Sequence, residues 1–253
     1  MPGRLASELL DYLTPHVQPG ITTGEINDLA HDYMVNVQHT IPATLNYAPP
    51  GHSPYPASLC TSVNHVVCHG IPGDKKLKDG DIVNIDVTVI KDGYHGDTSR
   101  MFHVGKPSIQ AKRLSEITYE AMWRGIRAIR PGAHLATSAA TIQRFAEGHG
   151  FSIVREFCGH GIGRQFHEEP QVLHYGTSGH RSQAAARHDL HRRTDDQRGP
   201  SGHPVPRRRL DHRHRRSLAV GAVGAYGAGD AGGLRRADAC PADRRRRHRR
   251  RSA

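Results

Sequence analysis

The stretch DVTVIKDGYHGD, residues 86–97, decides how the rest of the chain is interpreted. Its Asp92-Gly93 pair is the sequence of a two-residue turn, and β-branched residues precede it, so the stretch predicts a β-hairpin. In that register Thr88 lies opposite Asp97. Asp86 then occupies the diagonal position on the same face of the sheet, with Cβ atoms about 7–8 Å apart or less. The hairpin therefore predicts two carboxylates that converge on one surface.

Two interpretations of this carboxylate pair are open. One face of an antiparallel hairpin is often solvated, and the spacing alone fits two solvated aspartates as well as a metal site. The residues around Asp86, NIDVTVI, are apolar, however, and a buried acid must be paired or coordinated. Converging carboxylates of this kind hold divalent ions roughly 3.5–4 Å apart in hydrolytic sites. The surrounding sequence therefore favours a metal site.

Two helices are predicted before the hairpin. Apolar residues recur at helical spacing over residues 5–13, and Pro15 follows them. Residues 22–37 predict the second helix, which Thr22 and Glu25 begin as a capping box. The apolar residues at helical spacing in the first helix are Leu5, Leu9, Leu10 and Leu13. The side chains predicted to form the buried stripe of the second helix are Ile26, Leu29, Ala30, Tyr33 and Val37.

The order of the remaining elements predicts a duplicated α+β unit. Further helices are expected near 108–130 and 136–147, and strands are expected at 57–64, 66–70 and 151–163. Two helices followed by strands thus occur twice. In the second copy the sheet has barely begun when the composition of the chain changes.

Three histidines stand in glycine-containing or acidic motifs that suit a site. His69 lies in VVCHGIP, His160 in CGHGIG and His167 in FHEEP. Glycines on both sides of His160 allow the close backbone approach that a ligand at a strand end needs. The chain contains 20 histidines, and a histidine taken singly is more often incidental than functional.

Composition divides the chain at residue 177. The formal charge is +11, but residues 178–253 contain 20 Arg and 7 Asp without Lys or Glu, a charge of +13 that leaves −2 for residues 1–177. The tail has no Ile, Phe, Met, Trp or Asn, and its 7 Leu and Val in 76 residues fall below the roughly 20% that a packed core requires. We predict a folded domain at 1–177 and a disordered tail at 178–253.

Cysteine usage and hydropathy indicate the cellular compartment. The four cysteines include no CxxC pair, so neither a zinc ribbon nor a disulfide framework is indicated. The N-terminal sequence MPGRLASELLDYL is amphipathic and contains acids, unlike a signal peptide, and no stretch is long enough to span a membrane. We expect a cytoplasmic protein that does not enter the membrane.

Three stretches carry a resemblance to type I methionine aminopeptidase, which runs from about Gly3 to Thr177. They are SVNHVVCHGIP at 62–72, NIDVTVIKDGYHGDTSRMF at 84–102 and CGHGIGRQFHEEPQVLHYG at 158–176. The resemblance implies the pita-bread fold, a pseudo-twofold α+β domain with a curved sheet around a dinuclear metal site. It also implies a monomer that removes the initiator methionine from nascent polypeptides, near the ribosome.

The resemblance assigns roles to residues that match the motifs of the family. Asp86, Asp97 and His160 resemble metal ligands, with Asp97 bridging two ions of Co, Mn, Fe(II) or Zn, and no organic cofactor is implied. His69 and His167 resemble the histidines that contact substrate and assist proton movement. The residues that fall where the family lines its methionine pocket are Tyr55, Cys60 and Phe166.

The pocket lining suits a thioether, because it combines a sulfur with aromatic rings. His52 stands where many members of the family have a tyrosine, so the rim of the pocket is expected to differ from theirs.

Two glutamate ligands of the family have no counterpart, because no glutamate follows Glu169. The family supplies them from strands with the patterns TxEPM and QWEHT. Codons for MTFTVEPMINAG, when translated one base early, permit the residues found at 188–199, and the same shift converts DRSLSAQWEHT into residues 216–226. The resemblance therefore predicts a frame change near residues 177–178, a tail translated out of frame and an inactive chain.

Two other interpretations remain open at this point. The chain could be a catalytically inactive pita-bread protein that binds partners, with an Arg-rich tail that holds nucleic acid through phosphate charge. It could also be an unrelated α+β domain. A selected tail has no reason to back-translate into two enzyme motifs, which favours the frame change, although a tail this basic is expected to bind RNA non-specifically in either case.

Overall fold

The computed structural model describes residues 1–130 and 133–176, together with the backbone of residues 217–218. The predictions of disorder and of out-of-frame translation for residues 178–253 lie outside the described residues, except at that two-residue strand. The boundary predicted at residue 177 lies outside them as well.

The described elements follow the predicted alternation of helices and strands. The helices are α1 (Pro2–Leu13), α2 (Thr23–Asp32), a π-helical turn (Tyr33–Val37), α3 (Ile109–Ala128) and α4 (Leu135–Gly148). The strands are β1 (Ile41–Pro42), β2 (Cys60–Val63), β3 (Ile82–Lys91), β4 (Tyr94–His103), β5 (Ser152–Ile153), β6 (Gly159–Gly161), β7 (Glu168–Val172) and β8 (Ser217–Leu218). None of the helices in the described part of the chain is long and apolar enough to cross a membrane.

The predicted hairpin is confirmed. Strands β3 and β4 pair antiparallel along their whole length, with Thr88 opposite Asp97. At the turn Asp92 has φ 53° and Gly93 has φ 75°, the left-handed conformation that a two-residue hairpin turn of this type requires. Strand β3 is central, because β1 and β2 pair with its other edge.

The two faces of β3 differ in chemistry, because successive side chains of a strand point to opposite faces. One face, with Val83, Ile85, Val87 and Val89, is fully buried with side chains of α1 and α2 in the larger hydrophobic core. The other face carries Asn84, Asp86 and Thr88. The alternation therefore turns the polar positions away from the helices.

The second helix shows one departure from its predicted buried stripe. The capping box is present, with the Glu25 amide donating to Thr22 Oγ1 at 3.0 Å and the Thr22 amide donating to Glu25 Oε2 at 2.7 Å. The prediction that Val37 is buried is wrong, since 57% of the residue is exposed. The π-helical turn ends the 3.6-residue spacing, and Met34 is buried instead.

The second α+β unit contains a smaller core. Helix α3 begins after Ser108, whose hydroxyl accepts a hydrogen bond from the Ala111 amide at 3.1 Å. Helices α3 and α4 pack closely at Gly125, where a Cβ would lie 2.5 Å from the side chain of Ile142. The buried members of this core are Ala121, Ile142, Ala146, Phe151 and Ile153.

Several strand predictions differ from the structure. Residues 66–70 form no strand, because His69 adopts φ 54° and the Gly70 carbonyl turns back to accept from the Thr61 amide at 2.8 Å. The strand predicted at 151–163 is divided into β5 and β6. Strands β1 and β7 were not predicted.

Candidate active site

The carboxylates of Asp86 and Asp97 lie together on the polar face of the hairpin. Asp97 is 6% exposed. The Oδ1 atoms of both residues are buried and have no hydrogen-bond partner within the described residues. Thr88, opposite Asp97, donates a side-chain hydrogen bond that favours the charged form of Asp97. Unpartnered buried carboxylate oxygens are costly, so this pair calls for a cation or a proton.

The electrostatics of the pair agree with its geometry. Burial, followed by the negative charge of Asp97, raises the pKa of Asp86 well above its usual range. Burial also raises the pKa of Asp97, while the nearby His160 imidazole and the hydrogen bonds from Asp86 and Thr88 act in the opposite direction. Without a cation, the two acids therefore resist simultaneous ionisation.

His160 brings an imidazole to the carboxylates. Strand β6 carries it, and its Nε2 lies 3.9 Å from Asp97 Oδ2. Its Nδ1 lies 2.8 Å from the carbonyl oxygen of Gly161. A Cβ on Gly161 would overlap the Glu169 carbonyl at 2.2 Å, so glycine at this position lets β6 and β7 close together. The flanking glycines thus position His160, as their sequence suggested.

His69 and His167 lie on the same side of the sheet. Burial, together with the charge of His160, lowers the pKa of His69. Burial and then the charges of His160, His69 and His95 lower the pKa of His167 to about 4. The rings of His160 and His167 have centroids 4.3 Å apart. Both lowered pKa values keep these histidines neutral at physiological pH.

The three predicted methionine-pocket residues lie near the site, but on different segments of it. Cys60 pairs with Asp86 across β2 and β3, and burial raises its pKa to about 12. The Tyr55 hydroxyl donates to the Gly70 carbonyl at 2.9 Å. Phe166 lies further along, with its ring centroid 6.3 Å from that of His160.

A cavity of about 1260 Å³ opens beside these residues. Of the predicted site residues, its lining includes His69, Asp86, His160 and His167. Cys68, Cys158 and the buried His174 also face it. The cavity therefore connects the polar face of the hairpin with the second α+β unit.

Two site residues were not predicted from the sequence. His95 stands two positions before Asp97 on β4, and its ring stacks on Phe166 with a centroid distance of 5.6 Å. The two-residue period of a strand could have placed His95 on the site face. The Tyr47 ring contacts Phe166 in a tilted arrangement, with centroids 4.9 Å apart, and its hydroxyl contacts His167, whereas His52, expected at the pocket rim, is exposed. No local pattern in the sequence pointed to Tyr47.

The residues fit one side of a metal site. Two buried carboxylates with unpartnered oxygens and a neighbouring imidazole are donors that suit divalent transition metals. Among residues 1–130 and 133–176, however, no group of three or more His, Cys, Asp or Glu side chains is arranged to hold a metal ion. The described donors thus form an incomplete cage.

Comparisons with known proteins show the family to which the chain belongs. A model of metallopeptidase family M24 matches residues 2–190. Methionine aminopeptidase of Salmonella typhimurium is 61% identical over 174 residues, which cover 68% of this chain and 64% of that protein. The Rickettsia prowazekii enzyme of the same name is 55% identical over 177 residues, which cover 70% and 66% respectively. The chain thus spans about two thirds of the length of these curated relatives.

Solved structures give the same result for the fold. The crystal structure of methionine aminopeptidase from Rickettsia prowazekii superposes with a TM-score of 0.67 at 54% identity, over 71% of this chain and 70% of that one. The prolidase from Pyrococcus furiosus superposes with a TM-score of 0.57 at 20% identity, over 70% of this chain and 50% of that one. The predicted α+β pita-bread fold is confirmed.

Proposed function

Since the chain belongs to metallopeptidase family M24, we propose that residues 1–176 form the first part of a metal-dependent site for removing N-terminal methionine from polypeptides. One observation carries the proposal. Asp86 and Asp97 are buried together with unpartnered Oδ1 atoms, and His160 Nε2 lies 3.9 Å from Asp97. A carboxylate pair in this environment has its most direct use in holding divalent cations.

The residues that would hold two divalent ions in this part of the chain are Asp86, Asp97 and His160. Oxygen donors with a single imidazole suit Mn, Fe(II), Co or Zn, and no organic cofactor is required. A bound divalent ion supplies Lewis acidity, which lowers the pKa of water and polarises a carbonyl. The raised pKa values of both aspartates mean that metal binding and protonation compete for the same oxygens.

His69 and His167 are proposed to contact the peptide and to assist proton movement. Their lowered pKa values leave each ring neutral near pH 7, so each has one donor and one acceptor nitrogen. A neutral imidazole can donate to a peptide carbonyl without bringing a second cation beside the metal ligands. The position of both rings along the cavity supports these two proposed roles.

The methionine side chain is proposed to lie against Tyr55, Cys60 and Phe166. Burial raises the pKa of the Cys60 thiol to about 12, so Cys60 is a neutral, polarisable surface for a thioether. The Tyr55 hydroxyl is engaged by the carbonyl oxygens of Gly70 and Leu59, which leaves the face of its ring for apolar contact.

We propose that the chain as written turns over little or no substrate. No glutamate follows Glu169, so residues 178–253 offer no counterpart to the two further carboxylates expected for a closed pair of ions. Two carboxylates and one imidazole leave most coordination positions of two divalent ions to water. The predicted frame change near residues 177–178 accounts for both missing ligands with one event.

The proposed substrate is the N-terminal methionine of nascent polypeptides, met near the ribosome in the cytoplasm by a monomeric protein. The tail adds a second property, since residues 178–253 carry a charge of +13 and would bind RNA without sequence preference. Such binding depends steeply on salt.

Restoring the reading frame tests the proposed function. Removal of one base, or addition of two, near the codons for residues 177–178 should restore glutamates near positions 193 and 224. The restored protein with Mn²⁺ or Co²⁺ should release methionine from a Met-Ala-Ser peptide at a rate typical of enzymes, on the order of 1–10³ s⁻¹. The chain as written should show no turnover above background.

Two results would overturn this proposal. Turnover by the chain as written at such rates would show that the site needs no further ligands. Unchanged activity of the restored protein after Asp97→Ala would show that the carboxylate pair does not hold the metal. Asp28→Ala, which removes an exposed carboxylate of α2, is the matched control and should leave activity unchanged.

A further inference from the structure

Tyr47 makes a direct hydrogen bond to His167. The Tyr47 hydroxyl oxygen lies 2.8 Å from Nδ1 of His167, at a sequence separation of 120 residues. The bond joins the loop before β2 to the segment between β6 and β7. It is a long-range contact between a neutral phenol and one named nitrogen of an imidazole.

Aromatic packing holds this pair in register. The rings of Tyr47, Phe166 and His167 contact one another, with centroids 4.9 Å apart for Tyr47 and Phe166, 4.6 Å for Phe166 and His167 and 5.4 Å for Tyr47 and His167. His95 stacks on the same Phe166 ring at 5.6 Å. The His167 ring is thus stacked on Phe166 and in tilted contact with Tyr47 and His160, and the hydrogen bond to Tyr47 adds a directional contact at Nδ1.

The backbone of Tyr47 is also anchored. The Tyr47 amide donates to the Thr44 carbonyl at 3.0 Å, and the Tyr47 carbonyl accepts from the Tyr55 amide at 2.9 Å. The Asn46 amide donates in turn to the Tyr55 carbonyl at 2.8 Å. These hydrogen bonds fix the backbone of Tyr47 beside Tyr55, and they thereby restrict where the Tyr47 hydroxyl can lie.

The two nitrogens of His167 have different surroundings. Nδ1 has the Tyr47 hydroxyl, while Nε2 has no hydrogen-bond partner among the residues that the structure describes. His167 lines the cavity, so a substrate group is a natural partner for the free nitrogen. In a neutral imidazole one nitrogen donates and the other accepts, and the bond made by one fixes the role of the other.

We propose that Tyr47 is a positioning residue, which donates its hydroxyl proton to Nδ1 of His167 and thereby holds the ring in the tautomer that carries its proton on Nε2. The Nε2–H group then faces the cavity as a hydrogen-bond donor for a substrate carbonyl. The importance of this donor for catalysis rests on the proposed function. The tautomer itself does not, because it is a property of the chain without substrate.

Nitrogen-15 spectra of the histidine rings in the chain as written test the assignment. His167→Gln identifies the His167 signals by their loss. We expect wild-type His167 to show a protonated Nε2 and an unprotonated, hydrogen-bonded Nδ1 near pH 7. In Tyr47→Phe, which keeps the aromatic packing, the two nitrogen shifts should move toward each other as both tautomers become populated.

Tyr119→Phe is the matched control, since Tyr119 is 59% exposed on α3 and should leave both His167 signals in place. A wild-type proton on Nδ1 would overturn the proposal, whether or not Tyr47→Phe folds. Unchanged His167 shifts in folded Tyr47→Phe would overturn it too.

In the frame-restored protein, Tyr47→Phe should lower kcat roughly tenfold and leave KM within about twofold, as expected for a group that acts through a proton-handling residue. A raised KM with unchanged kcat would overturn this role and place Tyr47 in substrate binding instead.

Discussion

The first α+β unit comprises residues 1–105 and the second comprises residues 108–176. Both begin with two helices, but they differ in the strands that pack against those helices. In the first unit the long hairpin β3–β4 lies against α1, and its Val and Ile side chains are among the 17 buried residues of one core. In the second unit five of the described residues are buried in a core that α3 and α4 share with β5 and the residue before it. The hairpin is the element that makes the difference.

The comparison shows that one element serves both stability and chemistry in this architecture. The same alternation in β3 that buries Ile85 and Val87 against the helices places Asp86 and Thr88 on the polar face. The second unit has no such hairpin within the described residues, and of the proposed metal ligands it contributes only His160. A frame change after residue 177 would remove core side chains and metal ligands at once.

The largest expected effect comes from truncating one buried isoleucine to alanine in each core. Ile85→Ala should destabilise the first unit by about 3–4 kcal/mol, because Ile85 is fully buried in the larger core. Ile142→Ala should cost only about 2 kcal/mol, because fewer buried neighbours surround the cavity that it leaves. Urea unfolding measures both losses.

Two probes separate the units in this experiment. Trp123, the one tryptophan of the chain, lies in α3 and reports the second unit, while circular dichroism reports both. The Trp123 transition should come at lower urea than the main dichroism transition, since transitions that do not coincide indicate separate unfolding. Coincident transitions with equal losses for both variants would break the comparison.

A smaller effect is expected at the carboxylates. The pKa of Asp86 in the folded chain lies above its ordinary value of 3.8. Between pH 3.8 and that raised pKa, the folded state therefore binds more protons than the unfolded state. The contribution of Asp86 to stability without metal therefore falls as pH rises above about 3.8. Asp86→Asn removes this loss and should stabilise the metal-free chain at pH 7 relative to the wild type.

The same variant should change the response to metal. Mn²⁺ is expected to raise the midpoint temperature of the wild-type chain, because an ion that binds only the folded state stabilises it, and Asp86→Asn should abolish that rise. Asp28→Asn, on the exposed face of α2, should behave as wild type in both measurements. The lowered pKa values of His69 and His167 act on both chains alike, so the test is the difference in stability between metal-free Asp86→Asn and metal-free wild type. That difference should widen as the pH rises from about 4 to about 7, and a difference that narrows would contradict the expected direction.

Local rules in the sequence accounted for the first unit well and for the site only in part. The Asp92-Gly93 turn fixed the register of the hairpin, and that register placed Asp86 and Asp97 on one face, because turn chemistry and two-residue periodicity act over a few residues. The burial of Val37 was mispredicted, because a π-helical turn has no clear sequence signature. Tyr47 was missed because its partner, His167, is 120 residues away and only the fold brings them together.

The smallest expected effects distinguish the two units most cleanly, because each unit has one helix with a side-chain cap. Thr22 caps α2 and Ser108 caps α3, each hydroxyl accepting from a backbone amide three residues on. Replacing either by Ala should cost about 1 kcal/mol, since the amide loses its partner. Thr22→Ala should lower the dichroism midpoint and leave the Trp123 transition in place, whereas Ser108→Ala should lower the Trp123 transition alone. If Thr22→Ala shifted both transitions equally, the units would unfold as one body, and the thin second core would owe its stability to the first.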